Sequence, residues 1–115
     1  MLVKGKDPKE GAEALLSRSV CSVQVASVLA DHFGIFSWGW NSSGADGLGE
    51  HAEIHALMRC NRRRLSHATM HVIARRQRNG KAVTARPCEA CAHALRFVKE
   101  VVWRDNDGEW KVLNA

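Results

Sequence analysis

Apolar positions along the chain change period several times, and each change predicts an element. Asp7-Pro8-Lys9-Glu10 combines an N-cap, a first-turn proline and a capping-box glutamate, which predicts a helix over residues 7–18. Residues 20–29 carry Val23, Val25 and Val28 with small residues between them, as a buried strand does. A turn around Asp31-His32-Phe33-Gly34 leads into a second strand over residues 35–40. Residues 42–49 hold Gly44, Gly47 and Gly49 beside Ser42 and Ser43, a composition expected of a mobile loop that delivers the chain to His51. Ala52, Ile54, Ala56, Leu57, Met58 and Cys60 then read as a helix. A third strand is expected over residues 70–74, a turn at Asn79-Gly80, and a helix from Cys88 to about Phe97. A fourth strand over residues 101–104, a turn at Asn106-Asp107-Gly108 and a short last strand over residues 110–113 complete the chain. So short a return requires the last two strands to pair as an antiparallel hairpin. The order is αββαβαββ, an α/β fold with a mixed five-stranded sheet and two helices side by side on one face.

Composition narrows this picture without changing it. A chain of 115 residues can bury one core without disulfide staples, and no repeat or linker divides it, so residues 1–115 are expected to form a single domain. The start of the chain has no apolar signal region and no run reaches membrane-spanning length, which points to a reducing, cytoplasmic setting and no membrane partner. Cys21 and Cys60 lie in apolar stretches and read as core thiols. Net charge is +5, and its distribution says more than its sum. From position 61 to 86 the charged residues are Arg62, Arg63, Arg64, Arg75, Arg76, Arg78, Lys81 and Arg86, with no acid among them. A stretch of one sign attracts phosphate, in a nucleotide or a polymer, although a merely solvated basic surface has the same composition.

The candidate chemistry lies in His51-Ala52-Glu53 and Pro87-Cys88-Glu89-Ala90-Cys91. One imidazole and two thiolates supply three zinc ligands and leave a fourth position for water, as a catalytic zinc requires. Cys88 and Cys91 are three apart after a proline, so both sulfurs fall on one face of a helix's first turn, where the dipole and the metal favour thiolate. Zinc lowers the pKa of bound water from about 15.7 to about 7. Glu53, two residues beyond His51, then reaches the water rather than the metal and can shuttle its proton. Other readings leave residues without a purpose. A redox CxxC does not use His51 or Glu53. The i, i+4 pair His51 and His55 resembles a zinc protease, but that motif needs Glu where Ala52 stands. His55 then falls to a surface or supporting role. A purely structural zinc needs a fourth ligand, for which His71, His93 and Cys60 are candidates.

The H-x-E…P-C-x-x-C pattern is that of the zinc nucleobase deaminases, and the chain resembles the cytidine deaminase-like superfamily. The stretch Gly39-Trp40-Asn41, His51 to Leu57, Ala68-Thr69-Met70-His71-Val72 and Arg86 to Cys91 is most similar to the tRNA adenosine, deoxycytidylate and riboflavin-pathway deaminases. The resemblance implies a three-layer cytidine deaminase-like fold with the two helices bearing Zn2+ through His51, Cys88 and Cys91. It implies Glu53 as proton shuttle, the Ala52 amide on the base carbonyl, and Asn41 on sugar or base. The chain departs from the tRNA and deoxycytidylate branch in its compact C-terminal hairpin, which resembles that of free-cytidine deaminases and bacterial DNA-deaminase toxins. Free-cytidine deaminases, however, generally carry cysteine where this chain has His51. The connection from Arg75 to Arg86 is also longer and more basic than is usual in the tRNA enzymes.

These features lead to a zinc-dependent deaminase converting cytosine to uracil in a polynucleotide, with DNA favoured over RNA, the zinc-bound hydroxide attacking the ring carbon that bears the amine. Candidate substrate-binding residues are Asn41, Ala52, Pro87, Trp40 and Trp103, with Trp38 also available for stacking. Candidate nucleic-acid contacts are Arg62, Arg63, Arg64, Arg75, Arg76, Arg78, Lys81 and Arg86. The alternatives are deamination of free deoxycytidine or deoxycytidylate, deamination of adenosine in tRNA or DNA, and a zinc-bearing binding module without chemistry. The intact Glu53 argues against the last. Oligomeric state is not legible.

Overall fold

The computed structural model describes residues 7–42 and 51–113, so the glycine-rich loop expected over 42–49 falls, beyond Ser42, outside the described residues. Helix α1 (Pro8–Leu15) starts as its cap dictates: the Asp7 carboxylate accepts the Lys9 amide at 2.8 Å, and a 3-10 turn, Leu16–Arg18, continues it. Five strands follow among the described residues: β1 (Val23–Asp31), β2 (Gly34–Trp40), β3 (Thr69–Arg76), β4 (Glu100–Arg104) and β5 (Trp110–Val112). They form one sheet in the order β2-β1-β3-β4-β5. β1 is antiparallel to both neighbours, β3 and β4 are parallel, and β5 returns antiparallel to β4, as the short C-terminal return requires.

Helix α1 covers one face of the sheet, where Ala12, Leu15 and Leu16 pack against Ala26, Val28, Ala30, Ile35 and Ile73. Helices α2 (Ala52–Arg59) and α3 (Glu89–Ala94) cover the other, where Ala56, Leu57 and Leu95 meet Leu29, Met70, Val72, Ala74, Val101 and Trp103. β1 lies between the layers and is buried on both faces, which is why its sequence reads as a nearly continuous apolar run. At the β1–β2 hairpin the register shifts between Leu29 and Ala30, whose partners are Ser37 and Ile35. Phe36 is the extra residue of this bulge, so Phe36 packs into the α2 side while Ile35 packs on α1.

Two expected boundaries differ. β1 begins at Val23 rather than at position 20, since Val20 stands exposed and the carbonyl of Ser19 accepts the Gln24 side chain at 2.7 Å, turning the chain before the strand starts. The Cys88 helix stops at Ala94 instead of running to Phe97. Past it, the amides of Lys99 and Glu100 both reach the carbonyl of Ala68, at 3.0 and 3.3 Å, and draw the chain into β4 beside β3. No described helix is long and apolar enough to cross a membrane.

Candidate active site

The position of α2 is set by the sheet beneath it. Gly39 on β2 presents no side chain; a Cβ there would stand 2.6 Å from the Ala52 carbonyl, 2.7 Å from the Ala56 amide and 2.8 Å from the His55 Cβ. Two buried hydroxyls fasten the helix at this close approach. Ser27 donates to the Ala52 carbonyl and Ser37 to the Ala56 carbonyl, each at 2.7 Å. The start of α2 is therefore held rigidly over the end of the sheet where β2 and β3 finish.

His51 is the N-cap of α2 and Cys88 the N-cap of α3, yet neither side chain caps its own helix. Both turn toward each other instead. The Nδ1 of His51 lies 3.1 Å from the Cys91 sulfur and 3.6 Å from that of Cys88, and all three donor atoms lie within 4.8 Å of one another. Tetrahedral zinc with ordinary bonds to nitrogen and sulfur sets its donors about 3.5–3.8 Å apart, so the trio fits that ion. No fourth histidine, cysteine or carboxylate joins them among the described residues. The candidates for a structural fourth ligand are engaged or placed elsewhere: Cys60 donates to the Leu57 carbonyl at 3.2 Å, His71 lies 3.3 Å from the Val28 carbonyl, and His93 is exposed on α3. Three ligands and an open position are the catalytic form of a zinc site, and Zn2+ is the metal this donor set holds.

Glu53, in the first turn of α2, is only 5% exposed. Burial pushes its carboxyl above the ordinary glutamate range, with the backbone amide and His51 pulling partly back. Glu53 lines the same hollow as His51 and Cys88 without joining the donor set, a position from which a carboxyl can exchange protons with a molecule in that hollow. Burial also keeps the Cys91 thiol well above its usual range, reinforced by Glu53 and Cys88, so its thiolate form depends on the metal.

A hollow of about 210 Å³ opens at this point, lined by Val25, Asn41, His51, Ala52, Glu53, Thr84, Ala85, Arg86 and Cys88. Asn41 is in the wall, but its side chain is largely spoken for. Its Oδ1 accepts the Val25 amide at 2.9 Å and the Ser19 hydroxyl at 2.6 Å, and its Nδ2 donates to the Val23 carbonyl at 2.9 Å. Among the described residues, one amide hydrogen of Asn41 is left without a partner. Val25, Thr84 and Ala85 were not singled out from the sequence, since small and apolar wall residues carry no motif.

The other candidates divide. Pro87 is buried behind Cys88 and is not in the wall of the hollow. Trp103 is 5% exposed and part of the core, with its Nε1 finding no hydrogen-bond partner among the described residues, so it is no stacking platform. It instead supports Arg86, whose guanidinium lies 5.8 Å from the ring centroid. Trp40 is half-buried, edge-on to His55 at 4.7 Å, with Arg18 over its ring; Trp38 is also half-buried, with Arg59 5.4 Å from its centroid. His55 takes a supporting role here, with Nδ1 3.2 Å from both the amide nitrogen and the carbonyl oxygen of Trp40.

The basic run is split between the two ends of the sheet. Arg75, Arg76, Arg78 and Lys81 lie around the end of β3 and the turn after it, at the metal end. Arg75 is bonded to Gln24 at 2.8 Å, while Arg76, Arg78 and Lys81 are exposed. Arg62, Arg63 and Arg64 follow the far end of α2 and do not line the hollow. Arg64 is moreover committed to Asp31 through two bonds of 2.7 and 2.6 Å.

Comparison with known proteins agrees with this site. In sequence, no curated protein matches the chain. Among solved structures it is similar to a cytidine deaminase from Burkholderia pseudomallei, with a TM-score of 0.69 at 21% identity over 93% of this chain and 89% of that one. At that identity the likeness establishes the shared fold. The model of the cytidine and deoxycytidylate deaminase zinc-binding region matches residues 9–103. That stretch holds both helices of the metal site and the glycine that seats the first of them, and the chain belongs to the zinc-binding cytidine and deoxycytidylate deaminase family.

Proposed function

We propose that this protein is a hydrolytic deaminase converting cytosine to uracil within a polynucleotide, DNA being the polymer to test first. The observation that carries the reading is Arg86. It stands in the wall of the hollow next to Cys88, braced on Trp103, at the end of a connection whose exposed charges, Arg76, Arg78 and Lys81, are all positive. A backbone phosphate guided along that connection reaches the hollow with its base presented to Glu53.

Zinc held by His51, Cys88 and Cys91 supplies the Lewis acidity that makes water a nucleophile at neutral pH. Glu53 takes a proton from the attacking water as its oxygen bonds to the ring carbon bearing the amine. The same carboxyl gives this proton to the ring nitrogen, then takes the second proton from the added hydroxyl and passes it to the departing amine. Water is consumed, ammonia leaves and a carbonyl remains. The Ala52 amide, at the start of α2 where backbone N–H groups lack helical acceptors, holds the base carbonyl. The remaining amide hydrogen of Asn41 serves sugar or base at the rim.

A second reading is deamination of free deoxycytidine or deoxycytidylate, supported by the family's own description and the likeness to a cytidine deaminase. The test offers zinc-loaded protein single-stranded DNA, duplex DNA, RNA, deoxycytidine and deoxycytidylate, beside a Glu53→Ala control, and reads uracil and hypoxanthine by mass spectrometry. Uracil in a polymer, absent with the control, supports the proposal. Product from the small molecules alone replaces it with the second reading, and hypoxanthine replaces cytosine with adenine as the target.

A further inference from the structure

The three arginines at positions 62–64 lie at the opposite end of the sheet from the metal, where a second feature awaits explanation. Phe33, at the tip of the β1–β2 hairpin, is 81% exposed. The ring is open to water apart from its neighbour His32, which lies against it with ring centroids 3.9 Å apart and planes tilted by 40°.

The hairpin tip and the 3-10 segment Arg62–His67 are locked into one surface. Asp31 accepts the Phe33 amide at 3.0 Å, which fixes the turn, and receives both bonds of the Arg64 fork. Arg64 also lies over the Phe36 ring, 4.2 Å from its centroid. At the head of the 3-10 segment, Asn61 accepts the Arg63 amide at 3.1 Å. Arg63 and Phe33 therefore stand on the rim of the same hollow, of about 310 Å³, with His32 and His67. A neighbouring hollow of about 360 Å³ shares His32 and His67 and adds Thr69, His71 and Lys99. Among the described residues, the one carboxylate lining either hollow is Asp31, which Arg64 already neutralises.

We propose that this end of the molecule is a second nucleic-acid surface, separate from the zinc hollow, which binds a single strand by stacking an unpaired base on Phe33 and His32 and seating its phosphates on Arg62, Arg63 and Lys99. An exposed ring beside cationic side chains matches a strand whose bases are free to stack, whereas a duplex hides its base faces. Asp31 is six positions along β1 beyond Val25, which lines the zinc hollow, so the two surfaces lie about 20 Å apart along the strand. The proposal shares its ligand class with the reading above but uses none of the metal site, so it is tested by binding alone.

Fluorescence anisotropy of labelled oligo-dT and oligo-U, with a duplex for comparison, is measured for the Glu53→Ala protein alone and with Phe33→Ala, Arg62→Ala/Arg63→Ala or Arg62→Lys/Arg63→Lys added. Phe33→Ala is expected to weaken single-strand binding about 5- to 150-fold, the worth of one stacked base, without altering the salt dependence. The double alanine variant should flatten the slope of log affinity against log salt by about 1.4, and the double lysine variant should restore it. Unchanged melting temperatures exclude misfolding. The relative affinity of the two oligomers decides between DNA and RNA as the strand. Failure of the starting protein to bind either oligomer, tighter binding of the duplex, or affinities unmoved by all three changes overturns the proposal. Uracil formation in a polymer is read separately, so either idea can fail without the other.

Discussion

Replacing Gly39 with alanine tests whether the close seating of α2 on β2 is what assembles the metal site. The new Cβ would lie 2.6–2.8 Å from three atoms of α2, two of them backbone, and none is the movable end of a side chain. Ordinary contact begins near 3.4 Å, so α2 has to retreat by about 0.6–0.8 Å. That retreat stretches the Ser27 and Ser37 bonds from 2.7 Å toward the limit of hydrogen bonding, each worth about 1 kcal/mol. With overpacking at about 1–3 kcal/mol, the expected loss of stability is about 2–4 kcal/mol after relaxation. His51 and Glu53 ride on α2 while Cys88 and Cys91 ride on α3, so the retreat also opens the donor set. Misplacement on this scale costs on the order of 100-fold in turnover. Urea unfolding, chelator competition for zinc and deamination kinetics measure the three effects. Gly80→Ala is the control, because a Cβ there meets open space and only the positive φ of 71° is strained, for about 1 kcal/mol. A Gly39→Ala protein with wild-type stability, zinc affinity and turnover would refute the reasoning.

Three further outcomes are expected. Glu53→Gln should lower turnover by about 10²- to 10⁴-fold with zinc content unchanged by elemental analysis, since Glu53 lies outside the donor set. Zinc uptake by metal-free protein at pH 7 should release a proton from the Cys91 thiol, which burial keeps protonated; calorimetry in buffers of different ionisation enthalpy should find about one proton fewer released by Cys91→Ala. Arg64 holds Asp31 at about 2, below the ordinary 3.8, so as pH falls the unfolded chain binds this proton first. The contribution is complete above about pH 4 and is lost toward pH 2, and urea midpoints over that range should fall less steeply for Asp31→Asn than for the parent.

Local chemistry was legible in the sequence wherever one residue or one short spacing carries it. Asp7-Pro8 started α1, the valines of β1 marked the central strand, and Asn79-Gly80 and Asn106-Asp107-Gly108 turned the chain with glycines of positive φ. His51, Glu53, Cys88 and Cys91 were legible because ligand and acid–base chemistry tolerates few residue types. The end of α3 was not, since Leu95 to Phe97 are compatible with a helix and only the pull of Ala68 on Lys99 and Glu100 stops it. Nor was the role of Gly39, because nothing local distinguishes a glycine that turns the chain from one that admits a helix.

The sequence by itself determined the element order, the three zinc ligands, the glutamate beside them and the closing hairpin. Tertiary structure decided which tryptophan is core, how far Asn41 is committed to β1, and where each arginine stands. The physical reason is plainest in the basic run. Arg64 and Arg75 belong to one continuous stretch of like charge, but β3 runs between them across the width of the sheet, and at about 3.3 Å per residue its eight residues carry the second cluster to the opposite end of the molecule. Charge adds along a chain as though it were a line, whereas a strand separates in space what it joins in sequence.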